Sequence, residues 1–188
     1  MPPPASYSHD AEKIMELVLT LLVLHGVLGG LDVLLNHELA EGLPQQPGAA
    51  MEEALHATRE ALFAALFLGL AWFEWHGAAA WLVAAVIACE VMVSTWDSVL
   101  EDRTRRLPPL ERVLHVALLI NLGAYTVLLA PHWLAWLALP TAVVPVSHGW
   151  QSLALSALGL AALIWSVRDA LSSRRLRQRP DAAVALGA

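Results

Sequence analysis

The segment MEEALHATRE, residues 51–60, places residue types that bind metal ions at the head of an otherwise apolar run. Positions three, four and seven apart share one face of a helix, so Glu53, His56 and Glu60 lie on one side. Carboxylates with imidazoles and no thiolates favour hard or borderline metals such as iron, manganese or zinc. The pattern therefore predicts metal chemistry at the start of a helix.

Three other segments carry polar residues along one helix face in the same way. The stripes are His25-Gly29-Asp32-Asn36, Glu90-Ser94-Asp97-Glu101 and Glu111-His115-Tyr125. Counted inward from the helix ends, they reach a similar level at one end of a bundle. Independent surface charges would not share one level on four helices, so we expect a polar site there. The expected metal ligands are Asp32, Glu53, His56, Glu60, Asp97, Glu101, Glu111 and His115.

The elements that position these residues are predicted to be membrane-spanning helices. The chain has 188 residues, of which 57% are hydrophobic and 15% charged. The apolar residues form five blocks, most of them close to the 20 residues that cross a bilayer. We expect an all-α integral membrane protein whose first four transmembrane helices form a bundle around the polar site, with an accessory fifth. The predicted helices are about 12–40, 50–76, 78–102, 109–130 and 149–170, within one domain, 1–171, followed by a basic, partly disordered tail, 172–188.

The distribution of arginine and tryptophan predicts the orientation. Arginines crowd the loop EDRTRRLPPLER and the segment after the fifth block, which places both in the cytoplasm, with the N-terminus outside. Tryptophans gather at the opposite interface, which agrees. The first block lacks a basic start, so a cleaved signal peptide is not expected. The chain is predicted to be a multi-pass protein of the cell (inner) membrane.

Charge and cysteine content exclude other classes. The net charge is −6 and no basic stripe with aromatic residues occurs, which argues against nucleic-acid binding. The single cysteine, Cys89, excludes a disulfide within one chain. The oligomeric state is left open.

Residues 53–56 form a Glu-x-x-His motif, which helix bundles use to hold metal ions. With it, the ligand inventory resembles that of di-iron carboxylate proteins, and the resemblance implies two metal ions between facing helices. The other helices depart from the pattern: Glu111 and His115 are four apart, and the third and first helices offer aspartates. Iron is favoured over zinc or manganese because carboxylates outnumber imidazoles.

A deeper group and one arginine are candidates for other roles. His25, Glu90 and Tyr125 lie at comparable depth, and an ionisable residue inside a membrane is a functional candidate. They are the expected catalytic group, as a proton path or a tunnel wall; a structural hydrogen bond between His25 and Glu90 is the alternative. Arg59 either binds an anionic substrate group or pairs with a carboxylate. Glu74, His76, His132 and His148 at the outer end are a weaker candidate for a second site.

Three classes of function fit this pattern. The first is a di-metal enzyme that oxidises, hydroxylates or desaturates a lipid-like substrate with dioxygen, served by an electron-donor protein. A zinc-dependent hydrolase is close behind, because a metal ion also activates water. The second class is a transporter of protons or divalent cations through His25 and Glu90. The third is a structural subunit whose polar stripes only join helices.

Overall fold

The computed structural model describes residues 5–46, 48–104 and 106–178, and these are almost entirely helical. Helix α1 spans Ala5–Asp32 and continues as a π-helix, Val33–Glu41; α2 spans Ala50–Trp72, α3 Ala80–Thr104, α4 Pro109–Leu137 and α5 Trp150–Gln178. Two short strands, β1 (Phe73–His76) and β2 (Ala142–Pro145), and two 3₁₀ turns, Leu43–Gln45 and Gly77–Ala79, complete the description.

Five helical segments are long and apolar enough to cross a membrane. Large apolar side chains are exposed along them: Ile120 is 69% and Val127 is 71% exposed. A soluble surface would not expose so many large apolar side chains, whereas lipid tails solvate them. The expected all-helical protein with five spanning helices is confirmed to this extent, and the chain is a multi-pass membrane protein.

The prediction that the fifth helix is accessory is wrong, because α5 packs along the length of α2. Hydroxyl groups of Ser152 and Ser166 donate to the carbonyl oxygens of Ala71 and Ala57 at 2.6 and 2.7 Å. Between them, a Cβ on Gly159 would lie 3.0 Å from Leu68. Small residues and hydroxyls allow this close approach where no hydrophobic effect drives association. The bundle therefore contains all five helices.

The second helix ends earlier than predicted, because residues 73–76 form strand β1. This strand pairs antiparallel with β2, in the register Phe73↔Pro145 to His76↔Ala142. Gly77 then turns the chain with a φ of 56°, and a Cβ there would lie 2.7 Å from the backbone of Thr141. Only glycine fits this turn.

Two other helices extend beyond their predicted ends. Helix α4 passes through Pro131 and ends at Leu137. Helix α5 continues to Gln178, with Ser172, Ser173 and Leu176 buried, so the first residues of the predicted tail belong to the bundle. The rest of that tail, 179–188, lies outside the described residues.

Candidate metal centre

The ionisable residues gather at one end of the bundle, which we call the charged end. There the π-helix and α3 finish, α2 and α4 begin, and the last turns of α5 pack alongside. Eight carboxyl side chains at the charged end are at most 7% exposed: Asp32, Glu52, Glu53, Glu60, Asp97, Glu101, Glu111 and Asp169. The predicted convergence of stripes from separate helices is therefore present in the structure.

The π-helix brings a histidine into the site that helical periodicity does not place there. Five residues make about 1.4 turns of an α-helix, so His37 would point away from Asp32. In a π-helix, with hydrogen bonds from residue i to i+5, five residues make roughly one turn. His37 consequently lies on the same face as Asp32, with Nε2 at 3.8 Å from its Oδ2 and 3.3 Å from Glu111 Oε1. Gly42 ends the segment in the left-handed conformation, φ 60°.

Three groups of side chains could each hold a metal ion. In each, one potential ligand atom per residue lies within 4.8 Å of the others. The groups are His37-Glu101-Glu111-His115, then Glu52-His56-Glu101, then Glu53-His56-Asp169. Glu101 belongs to the first two groups and His56 to the last two, so the groups are contiguous.

Two aspartates predicted as ligands instead contact the imidazoles and the arginine. Asp97 Oδ2 lies 3.3 Å from His56 Nε2 and accepts a hydrogen bond from Arg59 Nη1 at 2.9 Å. Asp32 Oδ2 lies 3.1 Å from His115 Nε2, and its Oδ1 accepts from Asn36 at 2.7 Å. Carboxylates in such positions orient metal-binding imidazoles. Neither aspartate belongs to the three ligand groups, and the same holds for Glu60.

Among the described residues, carboxyl groups outnumber basic groups at the charged end. Eight buried carboxylates face Arg59 and the imidazoles of His37, His56 and His115. Arg168 pairs with Asp169 and also with Glu38, which is not one of the eight carboxylates. Arg168 and Glu38 together therefore add no net charge to this group. Burial of so many carboxyl groups is costly unless protons or cations neutralise them, and bound metal ions are one source of positive charge.

Buried imidazole nitrogens without hydrogen bonds point independently to a ligand. His37 and His56 are 3% and 1% exposed, and their rings stack at 4.2 Å with an angle of 11°. Within the described part of the chain, neither Nδ1 has a hydrogen-bond partner, and the two Nε2 atoms lie 3.3 Å from carboxylate oxygens of Glu111 and Asp97 without hydrogen-bond geometry. Buried polar groups normally have partners, because leaving one unsatisfied costs about 1–3 kcal/mol. A metal ion would satisfy a deprotonated nitrogen on each ring.

The deeper residues predicted as a catalytic pair do not contact each other. Among the described residues no ion pair joins His25 to Glu90; instead His25 Nδ1 lies 3.2 Å from the amide of Asn121. Glu90 Oε1 accepts a hydrogen bond from Ser94 at 2.7 Å, and its Oε2 is buried without a partner. Tyr125 is fully buried and its hydroxyl also lacks a partner among the described residues.

His25 and Glu90 line one cavity, which runs from their level to the charged end. Its volume is about 230 Å³. Its walls are mostly apolar side chains and small residues from all five helices, and its end toward the metal ligands is formed by Arg59, Glu60 and His115. The cavity therefore connects the membrane interior to the candidate metal centre.

The outer histidines have local partners. Glu74 Oε2 lies 2.9 Å from His76 Nε2, and His132 Nε2 lies 2.9 Å from the carbonyl oxygen of Ala11. Burial lowers the pKa of His148, although the Glu74 carboxylate opposes the shift. Among the described residues, none of these four belongs to a possible metal-binding group.

Sequence periodicity missed three members of the ligand groups: His37, Glu52 and Asp169. The π-helix hides His37. Glu52 lies four residues before His56, so its spacing was a usable signal. Asp169 shares a face of α5 with Ser166 and Ser173, a polar pattern that marked this face as buried.

Searches against protein-family models, characterised proteins and solved structures find no match to this chain.

Proposed function

We propose that this protein is a membrane-embedded di-metal enzyme, with iron as the favoured metal, that oxidises a hydrophobic, lipid-like molecule with dioxygen. One observation carries the proposal. Two possible ligand groups share Glu101, and His115 of the first group lines an apolar cavity inside a bundle of spanning helices. A carboxylate shared by two ions is an arrangement that di-metal sites use.

The ligand assignment follows from the groups. His37, Glu111 and His115 would hold the first ion, Glu52 and His56 the second, and Glu101 both. Asp97 and Asp32 would orient His56 and His115. Glu53 and Asp169 would lie on the far side of His56, as further ligands or as charge that raises its basicity.

Residues of the cavity would bind the substrate and exclude water from the reaction. The apolar walls of the cavity would hold the substrate and exclude water beside His115. A bound metal pair supplies activation of dioxygen. In a hydroxylation, one C–H bond becomes C–O–H and the second oxygen leaves as water; two electrons and two protons come from a donor. We infer that an electron-donor protein meets the charged end, which the arginine distribution assigns to the cytoplasm.

Zinc-dependent hydrolysis is the second candidate. The group with His37 and His115 offers two imidazoles and two carboxylates, which zinc also binds. Transport through His25 and Glu90 has less support. His25 contacts Asn121, and among the described residues no ion pair joins His25 to Glu90.

The experiment is oxidation of lipid by the reconstituted protein. Vesicles of a polar lipid extract containing the iron(II)-loaded protein receive oxygen and a chemical reductant, and their lipids are analysed by mass spectrometry. We expect products that gain one oxygen or lose two hydrogens. These should be absent with His37→Ala and present with the outer-end control His76→Ala. Iron-loaded protein that produces neither change would refute the oxidative assignment, and lipid cleavage by zinc-loaded protein would replace it with hydrolysis.

A further inference from the structure

The cavity has a feature that metal binding does not explain, which is the unpaired carboxyl oxygen at its deep end. Glu90 is 2% exposed, and within the described chain its Oε2 has no hydrogen-bond partner. Ser94 satisfies only Oε1. A buried carboxyl that lines a cavity with one free oxygen is placed to bind a polar atom of a ligand.

The residues that line the cavity extend along the helices, which favours an elongated ligand. Glu90 and Ser98 both line it and are eight residues apart on α3, or about 12 Å. A volume of about 230 Å³ over that length leaves a cross-section of roughly 20 Å². Side chains such as Phe63, Phe67 and Leu122 form the middle of the wall. Such a surface stays dry, so the body of the ligand is apolar.

Glycines widen the cavity at its middle. A Cβ built on Gly29 or Gly30 meets nothing within 4 Å, whereas one on Gly26 would lie 2.9 Å from Leu158. Gly26 therefore serves close packing of α1 on α5, and Gly29 and Gly30 leave space. Wall residues nearby are exposed to the membrane: Leu34 is 46% exposed. These residues mark a lateral opening toward lipid.

We propose that this cavity binds a neutral, lipid-soluble molecule with a slender apolar body and one hydroxyl or carbonyl oxygen, which hydrogen-bonds to Glu90. The apolar body extends along Gly29 and Gly30 toward His115. The ligand enters from the membrane, where its oxygen has no hydrogen-bond partner. Because Glu90 Oε2 also lacks one, a hydrogen bond between the two is favourable. Its role as substrate rests on the proposed function, but its binding does not need the metal.

The test uses photo-crosslinking in phosphatidylcholine vesicles. A long-chain primary alcohol with a mid-chain diazirine is compared with the corresponding alkane, and labelled residues are mapped by mass spectrometry. We expect the alcohol to label cavity walls, and the alkane to label the lipid-facing surface. Glu90→Leu should reduce cavity labelling by the alcohol about tenfold, the value of one hydrogen bond, and Glu90→Gln should retain it.

Filling the cavity provides the second arm. Gly30→Leu should abolish cavity labelling while the metal content stays unchanged. The matched control is Gly123→Leu on α4, which also has open space around its Cβ but lies outside the cavity. Leucine has the higher helix propensity, so neither change should impair folding. Equal labelling by alcohol and alkane, or equal loss in both leucine variants, would overturn the proposal. Cavity labelling by a protein that holds no metal would retain the ligand site and refute the enzyme.

Discussion

Replacing Glu101 by glutamine should remove most of the stabilisation that bound metal gives the protein. Glu101 is fully buried and belongs to two ligand groups whose atoms lie within 4.8 Å of each other. Glutamine keeps the size of the side chain but removes its charge. Without metal, the substitution removes the repulsion from neighbouring carboxylates but also the attraction to His115, whose Nδ1 lies 3.4 Å from Glu101 Oε2. With metal, it would remove the ligand that we propose both ions share.

The magnitudes follow from simple electrostatics and mass action. Two like charges 4.8 Å apart repel by about 3 kcal/mol at an effective dielectric constant of 20. The His115 imidazolium attracts Glu101 by a comparable amount, so we expect wild type and Glu101→Gln to differ little without metal. Conversely, an ion present at 100 times its dissociation constant stabilises the native protein by about 2.7 kcal/mol. Most of this stabilisation should be lost for both ions.

The assay is thermal unfolding in detergent, with chelator or with added iron(II) or zinc. Because unfolding of a membrane protein is often irreversible, midpoints are compared at one heating rate. Glu101→Gln should unfold close to wild type in chelator and at a lower temperature than wild type with metal. Glu74→Gln, at the outer end, should shift neither. Equal stabilisation of wild type and Glu101→Gln by metal would refute the assignment of Glu101 to a shared metal site.

Two further predictions concern packing and protons. Gly159→Leu should lower the unfolding temperature by an amount corresponding to about 1–3 kcal/mol, because even a Cβ there would lie 3.0 Å from Leu68. Gly123→Leu is the control, since a Cβ on Gly123 meets open space. Equal midpoints of the two variants would contradict the close contact between α2 and α5. Metal occupancy, followed by equilibrium dialysis, should fall as pH falls from about 7 to 5.5, because protons compete for ligand imidazoles, whose ordinary pKa is about 6.5; occupancy that is constant with pH would exclude His37 and His56 as ligands.

Helical periodicity was sufficient to predict the spanning helices and the end of the bundle at which the ionisable residues gather. Glu53, His56 and Glu101 lie on stripes in which residues are three, four or seven positions apart. In a regular α-helix this spacing alone determines which side chains share a face, so the prediction does not depend on contacts between helices. The same reasoning failed for His37, because the change from α to π geometry depends on hydrogen bonds that the sequence pattern does not reveal.

Other differences arose from contacts between distant segments. Residues 73–76 form a strand only because β2 pairs with them from across two helices. Asp169 was missed because α5 was treated as accessory, although Ser166, Asp169 and Ser173 show a buried polar face. Asp32 and Asp97 were predicted as ligands from position alone, and whether a carboxylate contacts an imidazole or joins a possible ligand group depends on distances of a few ångströms.

The measurement that most directly tests the central claim is elemental analysis of the purified protein beside three variants. The account predicts about two metal ions per chain, predominantly iron, in wild type. His37→Ala should retain about one, since the group around His56 remains; Glu101→Gln should retain fewer than His37→Ala; and His132→Ala, at the outer end, should retain both. Absence of stoichiometric metal after gentle purification and reconstitution with iron(II) or zinc, or equal metal in all four proteins, would contradict the di-metal centre.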